Sequence, residues 1–230
     1  MAGNTQVRLG IVLFAVVVTA AASFALGRRG AAPSGGNHRD IRQIVVNYTV
    51  ARIDDPIIVL GDSIVEAATL PLSACGHPIV NAGLAGATTA SDLSGWLKGA
   101  LGTRRPYAII VSLGVNDALT FSPPATSAAF AGRYEALLHD LSKLTERLFI
   151  LEFPPVEARG PFTPAMAETA MAAITGYRAA LPKIARNTNA ILLSLPALEA
   201  PFTIEGIHLN TAGYSAWDKA IQRGTELACG

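Results

Sequence analysis

From Pro56 onward the chain alternates between short apolar runs and longer stretches of helical periodicity, and few folds accept that order. The runs cover 57–60, 79–81, 108–113, 148–153 and 191–195, and the spacing predicts helices over 91–100, 127–144, 164–181 and 211–228. Runs this apolar leave no polar face for water, so each strand must be covered on both sides. That condition is met by a parallel sheet built from β-α-β crossovers. The expected fold is therefore α/β: a three-layer α/β/α domain with a flavodoxin-like, five-stranded parallel sheet. Local signals agree with it, since Thr163-Pro164 starts a helix, Pro182 is expected to close the same one, and Asn210-Thr211 caps the last. Ligands of such sheets gather at the carboxyl ends of the strands. The segments there are Gly61-Asp62-Ser63, Asn81 to Gly86, Gly114 to Asp117, Pro154-Pro155 and Glu205 to His208.

The chain ahead of this domain has a different character. Residues 9–26 are 18 in a row without a charge, bounded by Arg8 and by Arg28-Arg29, which is close to the length needed to cross a bilayer as a helix. The run is an export signal, with Ser23-x-Ala25 as a cleavage site, or a membrane anchor. Arg28, Arg29, Arg39 and Arg42 outweigh the positive charge ahead of the run, so the positive-inside rule favours a cytoplasmic domain, whereas an N-terminal apolar run favours export. Export ranks first, which places the domain in the periplasm or elsewhere outside the cytoplasm. Residues 30–37 have the small, polar composition of a linker, and Ile41, Ile44, Val45 and Tyr48 recur at helical spacing in a lead-in helix over 40–53. The organisation expected is a signal or anchor at 1–29, linker and lead-in helix at 30–54, and the α/β domain at 55–230.

Charge excludes some functions. With 18 Lys and Arg against 17 Asp and Glu, the chain has no basic field for nucleic acid. Its two cysteines, Cys75 and Cys229, form no metal-ligand spacing, so no metal site is expected on them.

The strand-end segments carry the chemistry. Ser63 follows a strand at the start of a helix, where outward-pointing N–H groups favour developing negative charge, a good place for an acyl-transfer nucleophile. The glycines of Asn81-Ala-Gly-Leu-Ala-Gly86 allow a backbone donor to approach a ligand closely, and the Asn116 amide can donate a second hydrogen bond to an oxyanion. Each of these segments alone also fits an ordinary cap or turn. Glu205 and His208 stand three residues apart before the last helix, and a serine needs such a base, itself held by an acceptor. His38, His77 and His139 sit in linker, turn and amphipathic-helix contexts that suit solvated or capping residues.

Taken in order, Gly61-Asp62-Ser63, Asn81-x-Gly-x-x-Gly86, Gly114-x-Asn116-Asp117 and Glu205-x-x-His208 resemble the four sequence blocks of the SGNH/GDSL hydrolases. The resemblance extends from Pro56 to the final helix. It implies a serine esterase in which Ser63 attacks the ester carbonyl, His208 is general base, and the N–H groups of Ser63 and Gly86 with the Asn116 amide form the oxyanion hole. No metal or organic cofactor is implied. One departure stands out, because the family's last block reads Asp-x-x-His and this chain has Glu205. Either the backbone adjusts for the extra methylene or His208 takes another partner.

The expected substrates are small acyl esters, lipids or acylated glycans, with the membrane as a further partner if the N-terminal segment is retained. Phe121, Phe153, Phe162 and Phe202 lie near strand ends, where they can line an acyl pocket or simply pack. An acyltransferase using the same residues, and a non-catalytic envelope protein that binds glycan or a partner, are the alternative functions. Given the implied fold, Cys75 and Cys229 both fall at the end of the sheet remote from the site, so a disulfide between them is expected if the compartment is oxidising.

Overall fold

The structure, a computed structural model, describes residues 35–119 and 124–230. The apolar run at 9–26, the linker up to residue 34 and Phe121 lie outside the described residues. The chain divides into a unit at Met1–His38 and a larger one at Arg39–Gly230; the larger one is described below.

Its strands are β1 (Ile57–Gly61), β2 (Ser73–Ala74), β3 (His77–Gly83), β4 (Ala108–Ser112), β5 (Leu148–Leu151) and β6 (Ile191–Leu193), in one sheet of order β2-β3-β1-β4-β5-β6. Every pairing is parallel except β2 with β3. Setting β2 aside, the order is that of a flavodoxin-like sheet. The sheet thus has six strands where the apolar runs predict five. The extra strand is an edge hairpin turned through Cys75 and Gly76, at φ 45° and 82°. Two central residues of positive φ make the tight turn that suits strand twist, and a two-residue edge strand needs no apolar run.

Burial follows the covered-sheet logic. All residues of β1 and β4 are buried, as a strand with helices on both faces requires. The helices are α1 (Gly35–Val50), α2 (Ser63–Glu66), α3 (Leu93–Leu101), α4 (Val115–Leu119), α5 (Ser127–Ser142), α6 (Pro164–Thr188) and α7 (Thr211–Cys229). Between α5 and α6, Phe130 stacks on Tyr177 with ring centroids 4.2 Å apart.

One sequence expectation changes here. Pro182 does not close its helix, because α6 continues to Thr188 and ends where Asn189 turns left-handed at φ 54°. Buried Leu181, Ile184 and Ala185 on either side hold the helix to the core, and tertiary packing overrides the local preference. In α1 the residues at helical spacing, Ile41, Ile44, Val45 and Tyr48, are exposed, while Val46 and Val50 enter the core. The helix carries two apolar stripes, and the hydrogen bond from Trp96 Nε1 to Asn47 Oδ1, 2.9 Å, helps to set which faces inward.

Cys75 and Cys229 are joined in a disulfide with Cα atoms 6.0 Å apart, tying the end of α7 to the turn before β3. Among the described residues no helix is long and apolar enough to cross a membrane.

Candidate active site

Ser63 is the first residue of α2, directly after the central strand β1. Asp62 caps the helix, its Oδ1 accepting the Ile64 N–H at 2.9 Å. The helix can lie against the strand ends only because two paired positions, Gly61 and Gly83, lack side chains. A Cβ at Gly83 would stand 2.1 Å from the Glu66 nitrogen, and one at Gly61 2.3 Å from Val65 Cγ2. A four-residue helix cannot satisfy its own carbonyls, and distant side chains do so. Asn81 Nδ2 donates to Val65 O at 2.7 Å, and Tyr214 Oη to Ile64 O at 2.7 Å. Arg42 in turn donates to Asn81 Oδ1 at 2.9 Å.

His208 comes from a very different setting, the irregular segment after β6. The chain folds back there through a Thr203–Leu209 bridge, with Ile204 N–H donating to His208 O at 2.8 Å and Asn210 N–H to Phe202 O at 2.9 Å. Glu157 anchors this turn. Its Oε2 accepts the Phe202 N–H at 3.1 Å, the Thr203 N–H at 2.7 Å and the Thr203 hydroxyl, while its own N–H donates to Gly206 O at 2.8 Å.

These two settings bring His208 Nε2 to 2.9 Å from Ser63 Oγ, across 145 residues of sequence. On the other side of the ring, His208 Nδ1 contacts Glu205 Oε1, which also accepts the His208 backbone N–H at 3.2 Å. A carboxylate only accepts, so the ring proton sits on Nδ1 and the Nε2 lone pair faces the serine hydroxyl. The longer Glu205 side chain thus reaches the imidazole, and the next residue, Gly206, has φ 106°.

Asn116 lies in α4, its Nδ2 donating to Ala87 O at 3.1 Å with one hydrogen left over. Gly86 sits at φ 73°. Its neighbours' N–H groups are used, Ala85 on Glu66 Oε2 at 2.6 Å and Ala87 on Leu84 O at 3.0 Å. Among the described residues, neither Gly86 N–H nor Ser63 N–H has a hydrogen-bond partner. Beneath them, fully buried Asp117 accepts the Thr89 N–H at 3.0 Å and pairs with Arg133 at 3.3 Å, tying the loops after β3 and β4 together.

Burial dominates the electrostatics. It pushes the Asp62 carboxyl up to about 7, against the Ile64 N–H and the nearby His208, which pull it down. Burial likewise pushes the Tyr214 phenol up to about 12, so that hydroxyl stays a donor across ordinary pH. Among the described residues no cluster of three or more His, Cys, Asp or Glu could hold a metal ion.

The structure brings Ser63, His208 and Glu205 into one hydrogen-bonded row, with Gly86 on the loop after β3 and Asn116 in α4, the short helix that follows β4. It does not bring the aromatics to the site as a group, since Phe153, Phe162 and Phe202 are buried in the core. Of the other histidines, His77 stacks on Tyr107 with centroids 3.6 Å apart. Sequence reasoning missed the supporting roles of Glu157, Asn81, Asp117 and Tyr214. Glu157 had a signal, being a carboxylate just past the Pro154-Pro155 that marks a strand's carboxyl end.

The sequence matches the model of the GDSL-like Lipase/Acylhydrolase family over residues 59–216, more than two thirds of the chain. The chain belongs to the GDSL-like lipase/acylhydrolase family. Membership carries the coarse class, an esterase or acylhydrolase. Among solved structures, this GDSL-like protein is similar to a Streptococcus pneumonia protein provisionally described as a platelet activating factor, at TM-score 0.69 and 22% identity, covering 87% of this chain and 99% of that one. It is also similar to an acetyl-xylooligosaccharide esterase from Geobacillus Stearmophilus, at TM-score 0.56 and 16% identity over 74% and 94% of the two chains. An acetyl xylan esterase matches at TM-score 0.57 and 17% identity over 73% and 98%. At these identities the likenesses establish the fold. The sequence matches no protein of curated function.

Proposed function

We propose that this GDSL-like protein hydrolyses carboxylic esters, O-acyl or O-acetyl, through an acyl-enzyme on Ser63. The 2.9 Å contact between Ser63 Oγ and His208 Nε2, with Glu205 on the far nitrogen, carries the proposal. His208 takes the hydroxyl proton as Oγ attacks the acyl carbon, and Glu205 holds the ring and stabilises the imidazolium that forms. The N–H groups of Ser63 and Gly86, with the spare Asn116 hydrogen, receive the oxyanion. Such donors act without reorganisation, and losing one costs about 2.7–4 kcal/mol of barrier. Water then attacks the acyl-enzyme with His208 again as base.

Ser63→Ala is expected to lower kcat for p-nitrophenyl acetate by at least about 10³-fold and to abolish labelling by a fluorophosphonate. Retained turnover and labelling would show that another residue is the nucleophile. We also infer that the domain at 55–230, with the lead-in helix before it, works outside the cytoplasm. The Cys75–Cys229 disulfide supports this, because such bonds persist in oxidising compartments, and so does the uncharged run at 9–26.

A further inference from the structure

A groove of about 1190 Å³ opens beside His208, between the loop that follows α2 and one side of α7. It follows α7 from Thr211 to Gln222, a length of about 16 Å at the helical rise. Its walls include the apolar Leu70, Pro71 and Ile204, with Ser215, Asp218, Lys219 and Gln222 along α7. Ile204 is 64% exposed, so core packing does not account for an isoleucine beside the reactive imidazole. Among the described residues, neither Gly86 nor Asn116 lines the groove. Of the row Ser63, His208 and Glu205, His208 alone borders it.

That placement has a chemical meaning, given the roles assigned to Ser63 and His208 above, on which this inference rests. In acylation the Ser63 Oγ–carbon bond forms and the carbon–oxygen bond to the alcohol breaks. The proton that Nε2 took from Oγ passes to the departing alcohol oxygen, and the acyl group stays on Ser63. The carbonyl oxygen must point toward the Ser63 and Gly86 N–H groups, and the leaving oxygen must lie within hydrogen-bond reach of His208 Nε2. Whatever is attached to that oxygen is delivered into the space that His208 lines. We propose that the groove holds the alcohol portion of the ester, and that the enzyme selects esters of extended, apolar alcohols over those of short ones. The acyl portion lies outside the groove, so selectivity follows alcohol length at constant acyl group.

The test is a series of alkyl acetates from methyl to octyl, each kept below its solubility limit. A fully buried methylene is worth about fourfold in affinity, and a groove open along one side recovers part of that. The expected kcat/KM rises at least about tenfold from methyl to octyl acetate. In Ile204→Ser, and more fully in Ile204→Ser with Leu70→Ser, the octyl-to-methyl ratio is expected to fall below about threefold. Ile204 is exposed, so the single variant should fold, and its melting curve checks this. A flat wild-type series would overturn the proposal, as would double variants that keep the full ratio. So would a loss that appears along methyl acetate to methyl octanoate, which would make the groove an acyl site. An enzyme that cleaves no acetate and takes no fluorophosphonate on Ser63 would instead sink the assignment of Ser63, and the groove proposal with it.

Discussion

The two halves of the candidate site are held in opposite ways. Ser63 stands at the end of β1, whose residues are all buried between β3 and β4, and its helix is pressed onto a pair of glycines that admit no side chain. His208 follows β6, a three-residue edge strand whose first residue is exposed, and sits in a segment without regular structure. Packing onto the sheet dominates on the serine side, whereas the histidine's turn, though seated by buried Phe202 and Leu209, also hangs on polar contacts to Glu157. The lesson is that a polar substitution should cost mainly activity on the histidine side and mainly stability on the serine side.

The sharpest way to break that contrast is Glu157→Ala. Glu157 touches neither Ser63 nor His208 among its hydrogen bonds, but without it the Phe202 and Thr203 donors lose their acceptor. A displacement of about 1 Å in catalytic geometry can cost about 10²-fold in rate. Measured well below the melting midpoint, kcat for p-nitrophenyl acetate is expected to fall about 10²-fold with KM little changed. A loss confined to the melting temperature would make Glu157 a mere brace.

On the serine side the informative probe is Asp62, and the expected signature is in pH. Its carboxyl is pushed up to about 7 in the folded protein, against about 3.9 in an unfolded chain. Between these values the folded state binds more protons than the unfolded one, so stability falls as pH rises. The contribution is complete below about pH 4 and gone once pH has climbed through about 7. Asp62→Asn cannot titrate, and its amide oxygen can still accept the Ile64 N–H. Urea unfolding at pH 5 and pH 8 should therefore show a smaller decline in the variant, by an amount on the order of a few kcal/mol. Equal slopes in the two proteins would show that Asp62 is ionised throughout.

The same contrast explains what was legible in the sequence. Apolar runs as continuous as Ile57–Leu60 and Ala108–Val111 have one use, so the parallel sheet and the strand ends carrying Ser63 and Asn116 could be read directly. Local chemistry also marked Glu205 and His208, three residues apart before a capped helix. What could not be read depends on contacts between distant segments. Nothing local tells Pro182 that buried Leu181 and Ile184 will carry α6 past it, or tells α1 which of two apolar stripes faces the core. Glu157 and Thr203 are 46 residues apart, and Tyr214 and Ile64 are 150 apart; only the fold makes them neighbours.

Tyr214 gives the smallest expected effect and the closest test of how far packing alone holds Ser63. Its phenol stays protonated because burial pushes it up to about 12, and it donates to Ile64 O in the first turn of α2. Tyr214→Phe removes that hydroxyl and keeps the ring, which meets Trp217 edge-on at 6.1 Å. The half-buried carbonyl loses one donor, a cost of about 1 kcal/mol in unfolding free energy. Asn81 Nδ2 still holds Val65 O, and the glycine pair still lets α2 lie flat, so kcat is expected to fall less than about fivefold. A fall as deep as that of Glu157→Ala would mean that the serine, too, depends on single polar contacts. In that case the difference between the two sides would be one of sequence distance alone, not of how each is held.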